Sequence, residues 1–303
     1  MSDAHRLQLA FSGLHPERIR DLTNRFGGPA AAIAAITRRR VNASEAIRRN
    51  LAVPAVRREA ELTSLGINVV RRGVPAYPAH LDQYEDAPDL LFVRGDLPTR
   101  PGVGIVGTRR CTAYGLELAD AYGVAVAEAG WPVVSGLARG IDGAAHRGMV
   151  AAGGRGVAVL GCGIDVTYPK EHRRLGDQIL ELGGSIVSEY PPGSRPDAWR
   201  FPPRNRIIAG LSAAVVVVEA GVTGGALITA VKAAEYGIPV LAMPGDVDRE
   251  ASEGTNRLIR DGAFPVFDPG DLIEELSLIH HLATTRGEGL RTDQASGVGD
   301  GEQ

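Results

Sequence analysis

The sequence predicts a doubly wound α/β fold with a mostly parallel sheet, preceded by a small all-helical module. From residue 66 onward, short apolar segments alternate with segments of helical periodicity, and glycine-rich loops separate them. The apolar segments are continuous runs without polar alternation, which is typical of parallel strands covered on both faces. Before residue 65 the pattern contains short helical stretches only.

The helical module is predicted over residues 1–64. Leucine and isoleucine recur there at helical spacing, and glycines interrupt the pattern. The module also contains arginine clusters at residues 38–40, 48–49 and 57–58. We interpret them as polar faces of surface helices, with nucleic-acid contact as the alternative.

The sheet domain is predicted over residues 65–280, where two extended segments, GINVV and DLLFVRGDLP, come first. Six apolar strands follow, at residues 103–107, 132–136, 156–161, 185–189, 213–219 and 239–245. The stretches at 112–130 and 224–237 have helical periodicity and end in glycine, as helix C-caps do. Residues 281–303 contain few apolar residues and are predicted to be a disordered tail.

The composition excludes several classes of protein, namely secreted, membrane-spanning, disulfide-rich and metal-binding ones. The longest apolar runs are strand-sized, and the first residues contain no stretch suited to a signal peptide or membrane span, so a cytoplasmic location is predicted. Cys111 and Cys162 lie far apart, with no cysteine or histidine at metal-ligand spacing. We therefore expect no disulfide framework, no metal and no cofactor.

The charge distribution argues against a globally basic surface. The net charge is −3, but residues 1–100 carry 15 basic and 11 acidic side chains, residues 101–211 carry 12 and 10, and residues 212–303 carry 6 and 15. A protein that coats nucleic acid with a basic surface would not have so acidic a last third. Any anion site must therefore be local.

The loops after the predicted strands indicate an anion-binding cleft. In a parallel sheet, ligands bind beyond the carboxyl ends of the strands, where these loops meet. Nearly all the loops begin with small residues, and most contain an arginine or lysine. Glycine lets backbone N–H groups approach a phosphate, and arginine can add two parallel hydrogen bonds.

Residues 201–212, FPPRNRIIAGLS, are interpreted as one side of this cleft. Two prolines predict an extended approach, and Asn205 is the predicted N-cap of a short helix. Arg204, Asn205 and Arg206 would then stand at a helix N-terminus and face the cleft. Glu189 and Glu219, at strand ends, are interpreted as anchors for these arginines, and an acid–base pair is the alternative.

Several enzyme motifs do not fit their context. GVGIVG at residues 102–107 matches Gly-x-Gly-x-x-Gly, but its first glycines lie before and within the strand, so a dinucleotide site is not supported. There is no Gly-Lys-Ser/Thr loop. Ser135, Asp142 and His146 lack the local pattern of a hydrolase triad. We interpret Asp142 and His146 as a helical i,i+4 pair that satisfies the preceding loop.

Seven segments in co-linear order resemble the DNA-processing protein A family (DprA, also called Smf). They lie between about residues 66 and 263 and read IVGTRRCTAYG, SGLARGIDGAAHRG, GCGIDVTYPKEH, SEYPPG, FPPRNRIIAGLS, VVVEAGVTGGALITA and MPGDVDREASEGTNRLIRDGA. Residues 1–64 resemble that family's sterile-alpha-motif-like or helix-hairpin-helix region.

The resemblance implies an extended Rossmann-like fold that forms a homodimer, and a role that is not enzymatic. It implies cooperative binding of single-stranded DNA, protection of incoming DNA, and loading of the RecA recombinase during natural transformation. Many members of the family also carry a C-terminal winged-helix domain, and residues 281–303 do not predict one.

The family's DNA-contacting positions map onto individual residues of this chain. Arg109 and Lys170 match positions that contact DNA phosphates, and Tyr168, Trp199 and Phe201 offer rings for base stacking. The Arg-Asn-Arg signature and the small residues of the cleft complete the predicted nucleic-acid site: Gly107, Thr108, Ser135, Gly136, Arg204, Asn205 and Arg206.

The alternative function is a nucleotide-hydrolysing enzyme of the phosphoribohydrolase type. Those enzymes share the Gly-Thr-Arg turn and a late glycine-rich loop, which reads Pro-Gly-Gly-x-Gly-Thr followed by a glutamate. This chain has GVTGGALITA at residues 221–230, without an acidic residue. The missing carboxylate argues against glycosidic hydrolysis, which normally needs both an acid and a base.

Overall fold

The computed structural model describes residues 2–281. Except for residue 281, the predicted disordered tail lies outside the described residues. None of the helices in this described part is long and apolar enough to cross a membrane.

Five helices precede the sheet, as the helical periodicity predicted. They are α1 (Ser2–Ala10), α2 (Pro16–Phe26), α3 (Pro29–Thr37), α4 (Glu45–Leu51) and α5 (Ala55–Ser64). Leu9, Leu22 and Ile36 belong to a core that these helices share among themselves. The other face of α1 packs on the sheet, because Leu7 of α1 and Phe11 just after it belong to the main core.

The sheet has nine strands in the described residues. They are β1 (Asn68–Arg71), β2 (Leu90–Gly95), β3 (Gly102–Val106), β4 (Val133–Ser135), β5 (Gly156–Leu160), β6 (Ser185–Ser188), β7 (Ser212–Val217), β8 (Val240–Ala242) and β9 (Phe264–Pro265). The order is β1-β2-β6-β5-β4-β3-β7-β8-β9, and only the β1–β2 and β2–β6 pairs are antiparallel. The predicted mostly parallel α/β fold is confirmed.

Helices cover both faces of the sheet. The remaining helices are α6 (Ala79–Asp82), α7 (Ala113–Glu128), α8 (Ile141–Ala151), α9 (Arg173–Glu181), α10 (Phe201–Gly210), α11 (Gly225–Glu235), α12 (Glu250–Arg260) and α13 (residues 269–281). Apolar side chains of α7, α8, α9 and α13 join one core cluster, and those of α6, α10 and α11 join the other. Each central strand is thus buried on both sides, which explains its continuous apolar sequence.

The strand order places a switch point between β3 and β7. The chain winds outward from β3 through β4 and β5 to β6, then returns to pair β7 with the other side of β3. At such a reversal, the loops after the two neighbouring strands diverge and leave a crevice. The fold therefore positions a ligand site beyond the carboxyl ends of β3 and β7.

The predicted start of α10 is wrong. The helix begins at Phe201, so both prolines lie in its first turn and Asn205 is inside the helix. Proline is tolerated there because N–H groups of the first turn have no partner within the helix. Arg204, Asn205 and Arg206 consequently point in different directions around α10 instead of standing together at its N-terminus.

Glycines allow α7 and α8 to pack closely, and we expect Gly148→Ala to destabilise the fold by about 1–3 kcal/mol. A Cβ at Gly148 would overlap the carbonyl oxygen of Asp120 in α7. Gly176→Ala in α9 is the matched control, since its Cβ would make ordinary contacts, 3.5 Å from Ile186. We expect that variant to be neutral or more stable by up to about 1 kcal/mol. Urea unfolding measures both, and equal stabilities would contradict the close-packing argument.

Candidate nucleic-acid interface

A cleft with a volume of about 1010 Å³ opens at the switch point between β3 and β7. The loop after β3 and the glycine-rich loop after β7 form two of its walls, and α10 contributes to its floor. Of the predicted site, these residues line it: Gly107, Thr108, Arg109, Tyr168, Arg204 and Asn205.

Glu219 holds the loop between β3 and α7 in place. The backbone N–H and hydroxyl of Thr112 donate to its carboxylate at 2.9 and 2.5 Å, and the N–H of Thr108 donates to its carbonyl oxygen at 2.7 Å. Thr112 also caps α7, because its hydroxyl accepts from the N–H of Gly115 at 3.0 Å. Glu219 therefore anchors the loop that carries Arg109, and the predicted anchoring of Arg204 or Arg206 by Glu219 is wrong.

Arg109 projects from this fixed loop into the cleft. Its side chain is exposed, and its guanidinium carbon lies 4.8 Å from the centre of the Phe201 ring. No ion pair joins Arg109 to an acidic side chain among the described residues. An exposed cation on a rigid loop, in no ion pair and beside an aromatic ring, suits an anionic ligand that also has a flat, stackable part.

Arg204 is buried beneath the cleft and braces the loop after β4. Its Nη1 donates to the carbonyl oxygens of Gly136 and Val159 at 2.8 and 2.5 Å, and its Nε donates to Oδ1 of Asn205 at 3.2 Å. A Cβ at Gly136 would overlap the guanidinium, so this position requires glycine. Arg204 thus contributes mainly to the floor of the cleft.

Asp142, at the start of α8, also holds the loop after β4 in place. Its carboxylate accepts the N–H groups of Gly136 and Ala138 at 3.1 and 3.4 Å. Burial raises the pKa of Asp142, and Arg204 opposes that shift. Burial likewise lowers the pKa of Arg204, and Asp142 opposes it. The two charges therefore compensate each other inside the protein.

The predicted pairing of Asp142 with His146 is not formed. Asp142 bonds the loop, while His146 is wholly buried and its ring nitrogens make no hydrogen bond of good geometry, with only a weak interaction with the Ser135 backbone. The pKa of His146 is lowered to about 3, mainly by burial and to a smaller extent by the nearby charges of His172 and Arg204, while a backbone hydrogen bond with Ser135 opposes the shift. His146 is consequently a neutral core residue at physiological pH.

Arg206 lies outside the cleft, which corrects its predicted position. Its Nη1 and Nη2 donate to the Glu189 carboxylate at 2.9 and 2.7 Å, and its Nε donates to the Asp86 carbonyl at 2.8 Å. The predicted anchoring of an arginine by Glu189 is confirmed. Arg206 and Arg204 are separated by two positions on a helix, so they cannot face the same side.

The start of α11 offers backbone donors to the cleft. Its N-cap is Gly224, which supplies no side-chain hydrogen bond, and Gly224, Gly225 and Ala226 all line the cleft. The amide of Asn205 donates to the Gly225 carbonyl at 3.0 Å and so joins α10 to this turn. Free N–H groups at a helix N-terminus favour a phosphate or similar anion.

Four further predicted residues have different environments. Tyr168 is 39% exposed and lies 5.7 Å from the Phe201 ring, so it extends the aromatic surface. Lys170 is exposed two residues beyond it, just outside the cleft lining. Ser135 is buried and donates to the Ile105 carbonyl at 2.6 Å. The Trp199 ring already has neighbours, because its centre lies 5.0 Å from the centre of the His15 ring and 4.4 Å from the guanidinium carbon of Arg200.

Two carboxylates near the cleft, which the nucleotide-hydrolase alternative would need as acid and base, are engaged with the loops. Asp142 and Glu219 are both buried, and both accept hydrogen bonds from loop groups. The prediction that Asp142 satisfies the preceding loop is confirmed, but sequence reasoning missed the role of Glu219 as an anchor of the loop after β3. Thr112, directly before a helical segment, was the available signal, because threonine is a common N-cap.

Comparison with known proteins agrees with this architecture. The family model described as DNA recombination-mediator protein A matches residues 68–277. Protein Smf of Escherichia coli (strain K12) is 42% identical over 207 residues, which are 68% of this chain and 55% of that protein. This chain therefore spans little more than half the length of that relative.

Two solved structures are also similar. The X-ray structure of DNA processing protein A from Streptococcus pneumoniae has a TM-score of 0.74 and 33% identity, and covers 91% of this chain and 99% of its own. DNA processing protein A from Helicobacter pylori, whose structure was described for its single-stranded DNA binding mode, has a TM-score of 0.62 and 28% identity. That match covers 69% of this chain and 95% of its own.

Proposed function

Because this chain belongs to the DNA recombination-mediator protein A family, we propose that its cleft binds single-stranded DNA. The observation that carries the proposal is Arg109, an exposed cation that forms no ion pair among the described residues and is held beside Phe201 at the mouth of the cleft. Single-stranded DNA combines phosphates, which arginine binds, with bases that stack on aromatic rings.

The cleft residues divide into two roles in this proposal. Arg109 and Lys170 contact phosphates directly, with the N–H groups at the start of α11 as further donors. Tyr168 and Phe201 provide the stacking surface for bases. Gly107 and Thr108 shape the loop that carries Arg109.

The remaining predicted residues support the site from behind. Arg204 and Asn205 hold the floor, as their hydrogen bonds to Val159 and Gly225 indicate. Ser135 and Gly136 give the loop after β4 its close fit. Arg206 has no direct role in this proposal, because its donors are occupied by Glu189 and by backbone carbonyls.

We further propose the biological role that family membership supports. The protein acts without catalysing a reaction, works in the cytoplasm as a homodimer, protects incoming single-stranded DNA and loads the RecA recombinase onto it during natural transformation. A RecA nucleation assay on DNA covered by single-strand-binding protein tests the loading step. Absence of any acceleration would contradict that step and leave the DNA-binding proposal standing.

Arg109→Ala is expected to weaken binding to single-stranded DNA and to reduce its salt dependence. Removing one phosphate contact should lower the slope of log K against log salt by about 0.7. We expect a similar change for Lys170→Ala. Fluorescence anisotropy with a labelled dT oligonucleotide at several salt concentrations measures both slopes, and duplex DNA at matched salt shows the preference for single strands.

Arg155→Ala is the matched control for these variants. Arg155 is exposed but directly precedes β5, so it lies at the amino-terminal end of a parallel strand, opposite the end where the cleft opens. Its loss should leave the slope unchanged. Wild-type slopes in both cleft variants, or an equal loss with Arg155→Ala, would contradict the assignment of the site.

A further inference from the structure

The loop between β6 and α10 joins the cleft to the helical module. Pro196 and Ala198 of this loop line the cleft. The next residue, Trp199, has its ring centre 5.0 Å from the centre of the His15 ring, which caps the start of α2. Because consecutive Cα atoms are only about 3.8 Å apart, the first turn of α2 lies directly beside the edge of the cleft.

The stacking surface of the cleft continues onto this loop. Inside the cleft, Tyr168 and Arg109 lie beside the Phe201 ring. Two positions earlier in the chain, Trp199 is 41% exposed, and the Arg200 guanidinium carbon lies 4.4 Å from its ring centre. The neighbours hold the indole in place while much of it stays accessible, so a base that stacks on it orders little further side-chain freedom.

Two exposed arginines flank this ring. Backbone hydrogen bonds fold residues 195–200 into a compact turn, which keeps Arg195 near Trp199. Arg18 lies about one turn after His15 in α2, on the same side of the helix. Both arginines are exposed, and neither forms an ion pair among the described residues. Each can therefore bind a phosphate without first giving up an acidic partner.

The charge of this region also favours a polyanion. Helix α2 and residues 190–200 together contain five arginines and three acidic side chains, an excess of two positive charges. The acidic side chains are Glu17, Asp21 and Asp197, and Asp197 is already paired with Arg200 at 3.3 Å. Single-stranded DNA offers what this surface can bind, namely phosphates for the arginines and a flat base for the exposed indole.

We propose that single-stranded DNA leaving the cleft continues over this loop onto the helical module, where Arg18, Arg195 and Trp199 form a flanking surface. The two arginines bind phosphates, and Trp199 stacks a base. This inference rests on the proposed function of the cleft and extends it, because it makes the helical module part of the DNA site. The protein then covers more nucleotides of one strand than the cleft alone holds.

Oligonucleotide length separates the flanking surface from the cleft. The comparison uses labelled dT oligonucleotides of about 6 nucleotides, near the lower limit of single-strand site sizes, and of about 20, beyond the upper limit. With the long oligonucleotide, Arg18→Gln and Arg195→Gln should each lower the slope of log K against log salt by about 0.7, and neither should affect the short one. Trp199→Leu should weaken binding of the long oligonucleotide at least about fivefold, the loss of one stacked base. Fluorescence anisotropy measures all these affinities.

Two further variants are the controls. Arg57→Gln removes an exposed arginine of the same module, on α5, and should leave the affinity for both oligonucleotides at the wild-type value. Arg109→Ala, in the cleft, should weaken binding of both. Because Arg18 and Arg195 are exposed, their variants test the inference even where Trp199→Leu disturbs the contact with His15.

The outcomes separate this inference from the proposed function of the cleft. If Arg18→Gln and Arg195→Gln bind the long oligonucleotide as the wild type does, or lose as much with the short one, the flanking surface is ruled out and the cleft remains. An equal loss with Arg57→Gln would also overturn the inference, since it would show a general effect of charge. If the wild type binds neither oligonucleotide, the proposed function itself is contradicted and this inference falls with it.

Discussion

Replacing Arg204 with methionine is expected to destabilise the fold by roughly 3–5 kcal/mol, the cost of removing one of two compensating buried charges. The change leaves the carbonyl oxygens of Gly136 and Val159 without their donor. It also removes, from Asp142, which is 6% exposed, the largest of the interactions that oppose the rise of its pKa. Because methionine fills most of the volume of the arginine side chain, the loss of stability measures the polar interactions and not a cavity.

Urea unfolding at pH 7 measures this loss, and two variants define its origin. Arg109→Met makes the same substitution at an exposed arginine and should change the stability by no more than about 0.5 kcal/mol. Combining Arg204→Met with Asp142→Asn removes both charges, so the double variant should lose less than the sum of the single losses. Strict additivity would show that the two side chains do not compensate each other.

The sheet could be predicted from sequence because its central strands are buried on both faces. β3 and β5 are continuous apolar runs in which every residue is buried. A helix of that length seldom has all its residues buried, so the pattern favours strands. β9 was missed, since its two residues, Phe264 and Pro265, are exposed and form no pattern. The antiparallel pairing of β2 with β6 was also not predicted, because a strand's direction depends on long-range packing.

The cleft was predicted more accurately than the roles of its residues. Arg109 follows a buried strand directly, so its position depends only on where β3 ends. The positions of Arg204 and Arg206 depend on where α10 begins, and the sequence pattern predicts an extended segment at the two prolines, whereas they lie in the first turn of the helix. Since side chains two positions apart face different sides of a helix, that error placed Arg206 in the cleft.

The anchors of the site could not be predicted from local sequence. Glu219 binds Thr112 across 107 positions of the chain, and Arg204 binds Gly136 across 68. Such contacts exist only because β3, β4 and β7 lie side by side. The sequence contains the polar residue types, but the topology decides which of them meet.

Acidification from pH 7 to pH 5 is expected to destabilise the protein, and His146 should account for about 2 kcal/mol of the loss. Its pKa is lowered from 6.5 to about 3 in the folded state. Between pH 6.5 and the folded pKa, His146 is therefore protonated in the unfolded chain and neutral in the folded chain. The free energy of unfolding falls as the pH falls through this window. Each pH unit in that window costs about 1.4 kcal/mol, so a full titration would cost roughly 4–5 kcal/mol.

His146→Leu should remove this slope, because leucine is of similar volume and does not titrate. Its stability at pH 7 should equal or exceed that of the wild type, since the ring nitrogens of His146 are buried and make no hydrogen bond of good geometry. His80→Leu is the comparison variant: burial lowers the pKa of His80 to about 4, so it should remove a second, similar slope. The raised pKa of Asp142 acts in the opposite direction, since it favours the folded state as the pH falls, but it is shared by wild type and variants and cancels in their difference. Urea unfolding at pH 7, 6 and 5 gives the slopes, and an unchanged slope in His146→Leu would mean that His146 gains a proton partner when the protein folds.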